Sequence, residues 1–155
     1  MFVRLKRRPG FTIIELIITI AVFAILLGMA IPAINSWLPG YRLRSAARDI
    51  ASNMQLARMR AISVNQNYGV DFDADGTYKI FRDGFPFHQY DENDTIERRN
   101  TLPTGVTFSG GTFAATRPAI FRPGGTCNGG TIRVTNPRGT RSIIVSPFTG
   151  RIRIK

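Results

Sequence analysis

From Phe11 to Ile34 the chain is apolar at almost every position, with Glu15 its one charged residue. As a helix, those 24 residues span roughly 36 Å, enough to cross a bilayer core of about 30 Å. Four basic residues (Arg4, Lys6, Arg7, Arg8) and Pro9-Gly10 precede the run. Positive charge on that side predicts that the N-terminus stays cytoplasmic and the rest of the chain faces outward. Pro32 removes one backbone donor and predicts a bend; Pro39-Gly40 predicts a break or kink. Trp37 sits where an interface marker or a packing residue is expected.

From Tyr41 the pattern becomes amphipathic. Leu43, Ala47, Ile50, Met54, Ala57, Ala61 and Val64 recur at steps of three and four, one stripe of a helix that Asn65-Gln66-Asn67 closes. The other faces carry Arg42, Arg44, Arg48, Ser52, Gln55, Arg58 and Arg60. After Asn67 short β runs alternate with Gly, Pro, Asn and Asp. Strands are expected near 68–72, 77–82, 95–102, 106–109, 119–122, 131–135, 141–146 and 151–154. The fold class is therefore α+β: a long N-terminal helix, half membrane-spanning and half amphipathic, packed on a small antiparallel β-sheet. The expected segments are 1–10 as a basic lead, 11–40 and 41–66 as the two helix halves, and 67–155 as the β domain.

A carboxylate inside the apolar run costs on the order of 3 kcal/mol, which makes Glu15 a functional residue by default. A secretory signal has a shorter apolar core, and Met29-Ala30-Ile31-Pro32-Ala33 is a poor cleavage site for one. The basic lead ending in Gly10, followed by Phe11-Thr12-Ile13-Ile14-Glu15-Leu16, resembles the N-terminal signature of type IV pilins and type II secretion pseudopilins. The resemblance implies that a prepilin peptidase cuts between Gly10 and Phe11 and methylates the new Phe11 amine. It also implies that Glu15 pairs with the Phe11 amine of a neighbouring subunit during assembly, and that the apolar helices then form a filament core. Arg42-Leu43-Arg44-Ser45-Ala46 and Leu56-Ala57-Arg58-Met59-Arg60-Ala61-Ile62 are similar to the second helix half of the GspH/FimT group, although Met59-Arg60 stands where Ser-Glu is common there.

Composition adds one large asymmetry. The lead holds four bases and no acid, so its removal from the 155 residues lowers the net charge from +11 to +7. Residues 71–97 hold eight acids and two bases, whereas residues 98–155 hold ten bases, nine of them Arg, and no acid. Such a patch attracts nucleic acid or another polyanion; docking on the acidic segment of a neighbouring subunit, or on anionic lipid, is the alternative. Gly150-Arg151-Ile152-Arg153 resembles the C-terminal feature of GspH/FimT-type domains, which in DNA-uptake members is similar to the motif that contacts DNA. The candidate DNA-binding residues are Arg138, Arg141, Arg151, Arg153 and Lys155. In a strand, Arg151 and Arg153 share one face, with Ile152 and Ile154 toward the core.

Asp71, Asp73 and Asp75 before Gly76 resemble the opening of a calcium loop, but Arg82 stands where its closing Glu belongs and flanking strands make 73–76 a hairpin turn. The hairpin is preferred and calcium kept as a weak candidate. With one histidine (His88) and one cysteine (Cys127), no catalytic triad or Cys/His metal cluster is legible, and Cys127 has no partner for an intramolecular disulfide. Neither enzymatic activity nor a cofactor is expected. The reading is a minor pilin or pseudopilin of a type IV pilus (FimT/FimU-like), with DNA uptake through its basic half. The alternative is a GspH-like minor pseudopilin of a type II secretion system without a nucleic-acid role. The partners are other pilin or pseudopilin subunits, prepilin peptidase and DNA. The location is the bacterial inner membrane, single-pass with the C-terminal domain in the periplasm, and then the pilus or pseudopilus.

Overall fold

The computed structural model describes residues 10–84, 90, 94–113 and 117–155, with backbone alone over 30–35. The readings of the basic lead before Gly10, of His88 and of the acids Asp91 and Glu92 lie outside the described residues. The chain divides into two compact units, Met1–Leu38 and Pro39–Lys155. One helix, α1 (Ile13–Val64), contributes to both.

In the first unit Thr12 starts the helix. Its Oγ1 accepts a hydrogen bond from the Glu15 N–H at 3.3 Å, and its carbonyl accepts one from the Leu16 N–H at 3.2 Å. Thr-x-x-Glu is the capping-box spacing, which satisfies donors that the first helical turn otherwise leaves open. From Phe11 to Met29 every side chain is exposed, and the large apolar ones surround the helix. An all-round apolar helix needs cover from outside its own unit. Among the described residues no helix is long and apolar enough to cross a membrane. The run read from the sequence continues past Met29 into positions whose side chains are not described.

The break expected at Pro39-Gly40 does not occur, because α1 runs through both. A proline there removes one donor. The turn is held from outside by Asn136 Nδ2, which donates to the Pro39 carbonyl at 2.7 Å.

In the second unit α1 buries Leu43, Ala46, Ala47, Ile50, Ala51, Met54, Ala57 and Ala61. Alanine ends at Cβ, so this stripe lets the helix backbone come close to the strands. Asn65 takes a left-handed conformation (φ 56°) and ends the helix, which leaves Val64 exposed. Eight strands follow: β1 (Tyr68–Phe72), β2 (Thr77–Arg82), β3 (Thr95–Thr101), β4 (Thr107–Gly111), β5 (Ala119–Phe121), β6 (Gly130–Asn136), β7 (Gly139–Val145) and β8 (Ile152–Ile154).

The strands form the antiparallel β domain as two sheets, in the orders β3-β2-β1-β5 and β4-β6-β7-β8. The chain leaves the first sheet after β3, adds β4 to the second, returns for β5, and goes back for β6. Alternation along a strand reports which face is buried, not which strand lies beside it, so the sequence pattern is blind to this exchange.

Both sheets supply one core. Tyr68, Val70 and Phe72 of β1, Tyr78 and Ile80 of β2, Ile132 and Val134 of β6, and Ile143 and Val145 of β7 join the helix stripe. Phe72 meets Tyr78 at 6.0 Å and Phe108 of β4 at 5.4 Å between ring centres, tying the sheets together. Each such buried aromatic contributes about 2–3 kcal/mol. On the other face of the first sheet Phe81 lies across Gly69, where any Cβ would overlap the ring. Tyr90 covers Phe81 edge-on at 5.2 Å.

Candidate functional site

Gly10 and Phe11 precede α1 and are exposed. An exposed peptide outside regular secondary structure is what a peptidase requires. Glu15 lies in the first turn, where the unsatisfied N–H groups create a favourable place for a carboxylate.

The acidic hairpin between β1 and β2 is closed on itself. Asp73 N–H donates to the Thr77 carbonyl at 2.9 Å. Asp75 Oδ1 accepts from the Thr77 N–H at 2.8 Å and the Thr77 hydroxyl at 2.6 Å, which lowers the Asp75 carboxyl below its ordinary value. Lys79 is 8% exposed, and its Nζ lies 3.4 Å from Asp71 Oδ2, 3.3 Å from Asp73 Oδ2 and 3.8 Å from the centre of the Tyr90 ring. Burial pushes the Asp71 carboxyl up despite the lysine. The place a cation would take between Asp71 and Asp73 is held by Lys79, and Asp75 turns to Thr77. Among the described residues no three acidic, His or Cys side chains are arranged to hold a metal.

Cys127 is buried, donates to Asn128 Oδ1 at 3.2 Å, and has its thiol pushed up by burial. Asn128 also accepts from the Ile120 N–H at 3.0 Å and donates to the Pro118 carbonyl at 2.8 Å. The thiol is a packing residue of a braced loop.

The five residues expected to bind DNA are all exposed but do not share one face. Arg153 pairs with Ile144 of β7, and Lys155 exchanges two backbone hydrogen bonds with Ser142 (2.8 and 3.0 Å). Ser142 in turn pairs with Arg133 of β6. Directly opposed residues share a face, so Arg133, Arg153 and Lys155 stand together on the outer face of the second sheet. Arg141 pairs with Val134, a core residue, and so stands on the opposite face. Arg138 occupies the β6–β7 turn, its N–H bonded to Asn136 Oδ1 at 2.9 Å.

Arg151, one residue before β8, lines a cavity with Gln55, Arg58 and Met59 of α1. Gly150 before it has φ +57° and packs on Gly125 and Arg58, whose Nε donates to the Gly125 carbonyl at 3.0 Å. Ile152 packs on the core as expected, but Ile154 is 43% exposed. By Ile154 the edge strand has run past the core onto a groove lined by Arg44, Ala47, Arg48 and Arg141. Arg133 was missed from the sequence. Its signal was the alternation Ile132-Arg133-Val134, with both neighbours buried.

The family model for type II transport protein GspH matches residues 46–150. The chain belongs to the GspH family. The model for the prokaryotic N-terminal methylation motif matches residues 5–31. The chain is also similar to the pilin-like protein PilA1 of Thermus thermophilus, 27% identical over 96% of this chain and 99% of that protein. Among solved structures, the minor pseudopilin EpsH of the Vibrio cholerae type 2 secretion system superposes with a TM-score of 0.57 at 16% identity, covering 74% of this chain and 96% of that one. The type IV minor pilin FimU of Pseudomonas aeruginosa gives 0.57 at 20% identity over 73% and 87%. At these identities the structures establish the pilin-like α+β fold. GspH-family membership, with the N-terminal methylation motif, makes the chain a structural subunit of the pilin and pseudopilin kind.

Proposed function

We propose that the chain is a minor pilin of a type IV pilus, processed between Gly10 and Phe11, methylated on Phe11, and held in the inner membrane by the run Phe11–Ile34 until assembly. Its C-terminal unit faces the periplasm, and Glu15 pairs with the Phe11 amine of the next subunit. A carboxylate among apolar side chains is tolerable only when paired, and cleavage supplies a cation at a suitable depth.

We further infer that the assembled subunit takes up DNA through Arg133, Arg153 and Lys155. One observation carries this reading: three basic residues share an exposed sheet face, in a stretch with no acid after Glu97. Guanidinium groups contact phosphates in pairs of hydrogen bonds, and such binding is sequence-tolerant and salt-dependent. The test is duplex DNA binding by the full chain in detergent across a salt series, beside Arg133→Gln/Arg153→Gln. Micromolar affinity is expected, with the slope of log affinity against log salt becoming shallower by about one for each phosphate that an arginine no longer neutralises. Absence of binding at low salt overturns the DNA role. The second reading, a type II secretion pseudopilin without a DNA role, is favoured by the family description itself.

A further inference from the structure

Arg141 belongs to a different basic cluster from Arg153. Two shallow cavities of about 190 and 270 Å³ lie between the start of the amphipathic helix half and β7. Arg44 and Arg141 line both; Arg138 adds to one and Arg48 to the other. Among the described residues, neither cavity has an acidic or aromatic residue in its lining. Arg48 and Arg141 form no ion pair among the described residues. Among the described residues Arg44 bonds through its Nε alone, to the Gly40 carbonyl at 3.2 Å. Ile154, 43% exposed, gives the groove its apolar side, over the buried Leu43 and Ala47.

Arg44, Arg48 and Arg141, with no acidic partner among the described residues, repel one another, and an anion relieves that cost. No described aromatic side chain lines the groove to stack on the bases of a single strand of nucleic acid. Arginines beside an apolar wall suit a phosphodiester attached to a lipid. The chain order points the same way. Arg42, Arg44 and Arg48 follow Ile34 by eight to fourteen residues. Basic residues so soon after a membrane segment, on its outer side, oppose the orientation set by Arg4, Lys6, Arg7 and Arg8. A headgroup contact gives that placement a use.

We propose that the groove between α1 and β7 holds the phosphate of an anionic phospholipid, steadying the second unit on the bilayer before assembly withdraws the subunit. This rests on the reading of Phe11–Ile34 as a membrane anchor. The test uses the full chain reconstituted in nanodiscs of phosphatidylcholine, with or without phosphatidylglycerol, and reads amide hydrogen exchange over residues 40–48 and 136–142.

Phosphatidylglycerol is expected to slow exchange there, and binding is expected to weaken about fivefold for each arginine removed. Arg48→Gln/Arg141→Gln, folded by the criterion of unchanged protection in β1 and β2, loses the effect; Arg133→Gln, outside the groove, keeps it. A chain that inserts but exchanges equally in both kinds of disc overturns the headgroup site and leaves the anchor standing. A chain that inserts into neither removes the anchor and the site together. Protection by a short DNA duplex on neutral discs, without an effect of phosphatidylglycerol, overturns the lipid assignment in favour of nucleic acid.

Discussion

Arg58 Nε donates to the carbonyl of Gly125, 67 residues away, at 3.0 Å. That bond fixes the loop before β6 to the helix, and Gly150 packs against both partners. The Gly-Arg-x-Arg ending is therefore set in place by the helix as well as by β7.

Replacing Gly150 tests this. Its φ of +57° and the closeness of Gly125 and Arg58 leave no room for a Cβ. Gly150→Ala is expected to lower stability by about 1–3 kcal/mol. It should also weaken DNA binding by shifting β8, which carries Arg153 and leads to Lys155. Urea unfolding in mild detergent measures the first effect; unchanged stability contradicts the packing.

Lys79 is the buried counter-charge of Asp71 and of the partly solvated Asp73. Lys79→Met leaves Asp71 and Asp73 facing each other, at a cost on the order of 2–3 kcal/mol, less than for a fully buried pair because Asp73 is partly solvated. The Asp71 carboxyl is already raised by burial and rises further. A raised carboxyl binds its proton more tightly in the folded state, so its contribution is full in acid and lost as pH rises through the folded value. The variant is therefore expected to be most stable at lower pH than the parent. Asp75 has the opposite sign. Its lowered carboxyl stabilises the fold above the ordinary carboxylate value, and that stability is lost as pH falls through the folded value. The stability gap between the parent and Asp75→Ala should narrow in acid, and unfolding at a series of pH values reads both effects.

Much of the fold is legible in the sequence. Leu43, Ile50, Met54 and Ala57 fall three and four apart, and helix geometry turns that spacing directly into a buried stripe. Tyr68–Phe72 and Thr77–Arg82 form strands at the boundaries read from alternation and turn residues. What depends on distant pairing is hidden. Nothing in Thr107–Gly111 shows that it pairs with β6 and not with β3. Lys79 looks like any solvated base until Asp71, Asp73 and Tyr90 surround it. Arg141 and Arg153 look equivalent until their partners Val134 and Ile144 place them on opposite faces.

Maturation is read by mass. Chain recovered from cells with an active prepilin peptidase is expected to begin at Phe11 and carry one N-methyl group. Gly10→Val should leave the full-length mass, because the peptidase must accommodate the residue before the cut. Processing at another bond, or unchanged processing of the variant, contradicts the assignment of Gly10 and Phe11.

Glu15 separates a structural role from an assembly role. Its N–H bonds to Thr12 Oγ1, and a capping box accepts Gln in place of Glu. Glu15→Gln therefore keeps the start of the helix and removes the charge. The decisive measurement is the fraction of this variant in sheared filaments, normalised to the amount in the membrane. Pairing with the neighbour's Phe11 amine predicts normal membrane levels and a filament fraction lower by at least about tenfold. Equal incorporation of the Gln variant would contradict it and reduce Glu15 to a helix cap.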